Sequence, residues 1–256
     1  MTAAPRRRPG ESPGALPGDL VLAVETSTKS GSVAIVSNEG LRVEIMHGLE
    51  ATHSDHILGA VDQALRDTSI SFADLTGLAV SAGPGSFTGL RIGLATVKGL
   101  AEAHPLPIVA VSTLEALAMN APAGRTPVCP TLDARKGEVY GALFAWDGEA
   151  GDWRALVPEG AYAPESFARR VAGATEEALF LGDGAQVYAD IFAKVLGKGA
   201  RFAAGPAHQP RAAWVGWLGI ARLQAGLTED PVSLVPRYLR ASEAELAWAL
   251  REGGRG

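Results

Sequence analysis

Apolar residues recur along this chain with two different periods. LVLAVE (20–25), SVAIVS (32–37) and LRVEIMH (41–47) are β-rich runs parted by polar or glycine-bearing turns, which predicts a three-strand meander. From His53 to Asp67 the spacing becomes helical, with Ile57, Leu58, Val61, Ala64 and Leu65 on one face. A strand at LAVS (78–81), a long helix from Ser86 to about His104 and a strand at PIVAV (107–111) follow. Ser112-x-x-Glu115 is a capping box that opens a helix ending near Asn120.

After the Pro/Gly-rich break APAGRTP (121–127) the same order of elements returns. Strands PVCPTLD (127–133), EVYGALFAW (138–146) and WRALVP (153–158) lead to a helix over Pro164–Ala172, a strand at ALFLG (178–182) and a helix from about Ala185 to Leu196. A brief ARFAA strand and a Trp-bearing helix from about Arg211 to Ala225 complete the second set. Both halves, 19–120 and 121–256, read βββαβαβα with negligible sequence identity. That repetition predicts an α/β protein with the duplicated, RNase H-like architecture of actin, sugar kinases and Hsp70 ATPases, two lobes facing a cleft. Residues 1–18 hold four Pro and three Gly and no apolar core, and are expected to be a disordered leader.

Composition narrows the function. Lys+Arg 23 against Asp+Glu 28 gives a net charge of −5, and three of the cations, Arg6, Arg7 and Arg8, sit in the leader, so the body is more acidic still. Such a body does not grip a phosphate backbone unaided. The single cysteine, Cys129, allows no internal disulfide, and a reducing cytoplasm is the expected compartment. The best apolar run, Ala212 to Ala221, is closed by Arg211 and Arg222, short of the roughly 18 residues a membrane span needs.

The richest segment is SAGPGSFTGLRIGLATVKGLA (81–101). Its Gly83-Pro84-Gly85 turn feeds a helix capped by Ser86, and free N–H groups there make Gly83, Gly85, Ser86 and Thr88 candidate phosphate or nucleotide contacts. Neither G-x-x-x-x-G-K-[ST] nor G-x-G-x-x-G is present, and a ligand-free strand-to-helix turn fits equally well. Gly89, Gly93 and Gly99 lie inside the helix, each costing about 0.8–1.0 kcal/mol against Ala. Gly89 and Gly93 share a face, which implies close approach of another backbone. That backbone is either the chain's own sheet or a helix of a second protein lying on Leu90, Leu94 and Val97.

Two further groups carry possible chemistry. Glu25 and Asp133 each end the first strand of a half, so both are expected at the cleft, where a carboxylate pair suits Mg-nucleotide and hydroxyl activation in a small-molecule or acyl kinase. Each is followed by TSTKSG or ARKG rather than Asp-x-Gly, and an acid that caps its own hairpin explains them as well. His53 and His56 are too few for a metal site and lack the H-E-x-x-H pattern, so a metallopeptidase is not favoured.

The segments AVETSTKSGSVAIV, SAGPGSFTGLRIGLATVKGLA, LDARKGEVYGALF and PRYLRASEAE resemble, in order from about Leu20 to Glu245, the bacterial TsaB family. The resemblance implies an actin-like (ASKHA) fold without activity or cofactor of its own. It implies a catalytically silent paralogue of TsaD, the transferase that places a threonylcarbamoyl group on N6 of adenosine 37 in tRNA. TsaB proteins pair with TsaD, and with the ATPase TsaE, through their first two helices, and reach tRNA only in that complex; the same helices suit a homodimer. Here those helices begin near His53 and Ser86, which nominates Ile57, Leu58, Val61, Gly89, Leu90, Gly93, Leu94 and Val97 as interface residues. The transferase is expected to carry H-x-x-x-H on the first helix, whereas this chain has His53-x-x-His56 with Ile57 at the second ligand's place.

Overall fold

Strand β1 (Leu20–Glu25) pairs antiparallel with β2 (Ser30–Ser37), and β2 with β3 (Gly40–Gly48). After α1 (His53–Thr68), strand β4 (Gly77–Gly83) returns parallel to β1, and β5 (Ile108–Ser112) adds parallel to β4 after α2 (Phe87–Ala103). The sheet order is β3-β2-β1-β4-β5. This computed structural model describes residues 18–48, 53–122, 124–147 and 152–239, the side chains of 53–55 and 152 excepted. The expected leader therefore falls outside the described residues apart from Gly18, as do the PRYLRASEAE motif beyond Leu239 and the His53 side chain.

The second half repeats the plan. Strands β6 (Val128–Arg135), β7 (Glu138–Asp147) and β8 (Asp152–Tyr162) form a meander. After α4 (Pro164–Ala174), β9 (Ala178–Leu181) lies parallel to β6, and β10 (Ala200–Phe202) parallel to β9. The order β10-β9-β6-β7-β8 is that of the first sheet read from its other edge. The fold is thus the duplicated α/β architecture that the pattern of elements predicts.

Every residue of β1, β2 and β4 is buried because both faces of the first sheet are covered. Leu20, Leu22 and Val24 meet α1 and α2, while Val21 and Ala23 face α7 (Ala212–Gln224). The last helix of each half crosses over. Leu114, Leu117 and Ala118 of α3 (Thr113–Ala118) pack with Val128, Leu132 and Ala142 of the second sheet, whereas Ala212, Val215 and Ile220 of α7 pack on the first. A Cβ on Gly216 would stand 2.7 Å from Val36, and one on Gly219 2.7 Å from Ala79, so α7 lies unusually close to its sheet.

Three local expectations change. The helix expected over 185–196 is two, α5 (Asp183–Val187) and α6 (Ala189–Leu196), broken at Tyr188, whose hydroxyl reaches back to Asp133 and the Glu138 carbonyl. Strand β8 continues past Pro158, because the register skips between Gly141 and Leu143 so that Pro158 and Glu159 bulge out of the ladder. Ser112 caps α3 by accepting from Leu114 N and Glu115 N, but Glu115 does not complete the box: its carboxylate pairs with Arg222.

Candidate functional site

The Gly-rich turn and the start of α2 are built against the end of β1. Ser86 caps α2, its Oγ accepting from Gly89 N at 3.3 Å, and its own N–H donates to the Ser27 carbonyl at 2.7 Å. A Cβ on Gly85 would overlap the Ser27 carbonyl oxygen, one on Gly89 the Thr26 carbonyl oxygen, and one on Gly93 the Thr26 hydroxyl. Of the two partners the sequence allows for the glycine face, the chain's own sheet is the one present. Gly99, on the opposite side, faces open space.

This packing corrects the nominated interface. Ile57, Val61, Gly89, Leu90, Gly93, Leu94 and Val97 are buried in this chain's own first lobe, because the apolar stripe of each helix is the stripe that covers the sheet. Leu58 alone of the eight is exposed, at 54%. The outward surface of the helix pair consists instead of residues such as Leu58, Gly59 and Asp62 on α1 and Arg91, Ala95 and Gly99 on α2.

Between the lobes lies a cleft of about 330 Å³ lined from the first half by Ser27, Thr28, Lys29, Gly85, Ser86 and Phe87 and from the second by Leu132, Asp133, Ala134, Arg135, Tyr140 and Asp183. Of the candidate phosphate contacts, Gly85 and Ser86 line it. Thr88 is exposed on α2 and is not among the lining residues, and Gly83 is covered. Gly83 has φ +118°, and a Cβ there would stand 2.7 Å from the Arg237 carbonyl oxygen, whose residue donates N–H to Ala82 O at 2.7 Å. The C-terminal segment thus seals the far side of the turn.

The two acids do not come together. Glu25 is fully buried and does not reach the cleft. Its Oε1 accepts from the backbone and hydroxyl of Ser27, Oε2 has no hydrogen-bond partner among the described residues, and burial pushes its pKa up against the pull of Ser27 and Ser81. Asp133 lies at the cleft but is tied to its own turn: Oδ1 accepts from Arg135 N at 2.9 Å and Tyr188 OH at 3.3 Å, and Oδ2 faces the Arg135 guanidinium at 3.3 Å. The hairpin-capping role is therefore the one Asp133 performs.

Asp183 is the cleft carboxylate that sequence reasoning missed. Its Oδ1 accepts from Asp133 N at 2.9 Å, and burial raises its pKa, with a further rise from the Asp133 charge. The signal was present in Gly182-Asp183-Gly184, which follows β9 as Gly83-Pro84-Gly85 follows β4. Cβ atoms on Gly182 and Gly184 would collide with the backbone of Thr131 and Leu132 in β6, as those on Gly85 and Gly89 would with Ser27 and Thr26 just past β1. His56 stacks on His47 with ring centroids 5.8 Å apart, and among the described residues no group of three or more His, Cys, Asp or Glu side chains is placed to hold a metal. No helix among the described residues is long and apolar enough to cross a membrane.

The comparisons agree on a family. Residues 48–248 match the family model of TsaD, tRNA N6-adenosine threonylcarbamoyltransferase. A transferase of that name from Bradyrhizobium diazoefficiens is 46% identical, but over only 27% of this chain and 19% of its own length. The tRNA threonylcarbamoyladenosine biosynthesis protein TsaB of Bacillus subtilis is 32% identical over 89% of this chain and 97% of its own, and that of Escherichia coli 36% identical over 67% and 74%. A Pseudomonas aeruginosa crystal structure, described as an uncharacterized protein similar to peptidase YeaZ, superimposes with a TM-score of 0.73 at 28% identity, covering 87% of this chain and all of that one. End-to-end likeness to TsaB proteins, on a fold whose two lobes carry the same strand order, places this chain in the TsaB family of tRNA threonylcarbamoyladenosine biosynthesis proteins.

Proposed function

We propose that this chain is a noncatalytic, cytoplasmic partner subunit in the formation of N6-threonylcarbamoyladenosine in tRNA, supporting the transferase TsaD together with the ATPase TsaE. The observation that carries the reading is the fate of the two acids: Glu25 is sealed in the core and Asp133 is held by Arg135 and Tyr188, so these two cannot act as a pair on a hydroxyl in the cleft, and Asp183, the other carboxylate there, is itself bonded to Asp133 N. The acidic body leaves tRNA binding to the complex.

The partner surface in this reading is the outward face of α1 and α2. Leu58 supplies exposed apolar area, and Gly59 and Gly99 have open space where a side chain would stand, so another helix can come close there. A second copy of this chain competes for the same face. The test is reconstitution with purified TsaD, TsaE and tRNA. The chain alone turns over no ATP and modifies no tRNA, while its addition to TsaD and TsaE restores modification. ATP turnover by the chain alone that Asp133→Ala abolishes would instead establish the kinase reading.

A further inference from the structure

The chain passes between its lobes twice, through α3 and the residues after it and again through residues 203–211. One side chain fastens the two passages together. Asn120, just past α3, donates through Nδ2 to the carbonyls of Ala207 at 3.2 Å and Gln209 at 2.7 Å, and its Oδ1 accepts from the indole Nε1–H of Trp214 in the first turn of α7 at 2.8 Å. Both amide hydrogens and the carbonyl are thereby engaged. The second passage is held from its other side by His208, whose Nδ1 accepts from Gly182 N at 3.1 Å while Nε2 faces the Ala203 carbonyl at 3.0 Å.

Two more links cross close by. Ser112 at the end of β5 donates to Glu159, which the β8 bulge presents from the second sheet. Arg222 of α7 pairs with Glu115 of α3 and donates to Ala110 O at 3.0 Å. Hinges work by absorbing φ/ψ change in a few unfastened residues. Here the passages that would have to absorb it are the fastened ones.

The geometry points to Asn120 as a clasp that locks the two interlobe passages, so that the cleft keeps a single width instead of opening and closing. This is independent of which partner the chain serves.

The experiment is a spin-label distance measurement on the full chain carrying Gln63→Cys on α1 and Ala172→Cys on α4, both exposed, with the fully buried Cys129 left in place. The clasped protein gives one narrow distance. Asn120→Asp keeps an acceptor for Trp214 but turns a carboxylate toward the Ala207 and Gln209 carbonyls. It is expected at least to double the width of the distribution or add a second distance, and to speed amide exchange at Ala207 and Gln209 at least tenfold. An unchanged distribution in a folded Asn120→Asp protein, or two distances before any change at Asn120, overturns the clasp. If circular dichroism shows Asn120→Asp unfolded, Asn120→Ala, which removes all three hydrogen bonds and introduces no charge, is read by the same criteria.

Discussion

The hydroxyl of Thr26 donates to the carbonyl of Gly89 at 2.8 Å, inside the lobe and 63 residues away in sequence. A side chain just past β1 thus satisfies a carbonyl in the first turn of α2, and the glycines let the helix settle onto the strand end. The propensity that the glycines forgo, about 0.8–1.0 kcal/mol each, is offset within the chain.

Three alanine substitutions separate this packing from simple helix propensity. At Gly99, where a Cβ meets nothing, alanine should stabilise by up to about 1 kcal/mol. At Gly93 the new methyl meets the end of a threonine side chain, and a loss of about 1–3 kcal/mol is expected. At Gly89 it meets a backbone carbonyl that cannot swing aside, so the loss should be the largest of the three. Urea unfolding of the three proteins orders them. Equal effects would mean that α2 is not seated on Thr26.

Glu25 gives a pH dependence with a definite sign. Burial raises its folded-state pKa, so the folded chain favours the protonated acid. That contribution is present in full below the ordinary carboxylate range and is lost as pH climbs through the raised folded value. Ser81 lies beside Glu25, one residue beyond the Val24–Val80 pairing, its hydroxyl making no full hydrogen bond among the described residues yet near enough to pull on the Glu25 carboxylate. Glu25→Gln keeps the acceptor for Ser27 and adds a neutral donor, so it should stabilise by about 1 kcal/mol or more at pH 8. The gain should shrink toward pH 5. Stability curves that run parallel across that range would place a charged carboxylate in the core.

The order of strands and helices was legible because it is written in short, local periods: β1, β4 and β5 as unbroken apolar runs, α1 by spacing, α2 by its cap. What the periods could not express was which partner a face meets. Ile57, Val61, Leu90, Leu94 and Val97 read equally well as a core stripe and as an interface, and only the sheet beneath them decides. Glu25 looked like a cleft acid because the pattern ends a strand at Glu25 and at Asp133 alike, yet β6 runs on to Arg135, and Glu25 turns inward whereas Asp133 lies at the cleft. The exchange of α3 and α7 between lobes is a long-range event with no local signature.

Leu234 tests the C-terminal segment as part of the fold. It is 6% exposed and packs in the cluster between the first sheet and α1–α2, while Lys98 Nζ donates to the Leu234 carbonyl at 3.0 Å. Leu234→Ala should cost about 2–5 kcal/mol, as buried leucines do. Lys98→Met, which removes a half-exposed donor, should cost no more than about 1 kcal/mol. If Leu234→Ala leaves the melting temperature unchanged, the segment is not part of the core.

The glycine face and the outward face of the helix pair make opposite predictions for partner binding. Gly93 points at Thr26, so Gly93→Leu must push α2 off β1, lowering the melting temperature while the folded fraction still binds TsaD normally. Leu58 is more than half exposed, so Leu58→Asp leaves the lobe intact. On the proposed outer surface it places a charge against the incoming helix, and affinity should fall at least tenfold, the equivalent of about 1.4 kcal/mol. Melting curves and TsaD affinity taken on the same two preparations give the answer. A stable Gly93→Leu protein that has lost binding, beside a Leu58→Asp protein that keeps it, would move the partner to the other side of α2.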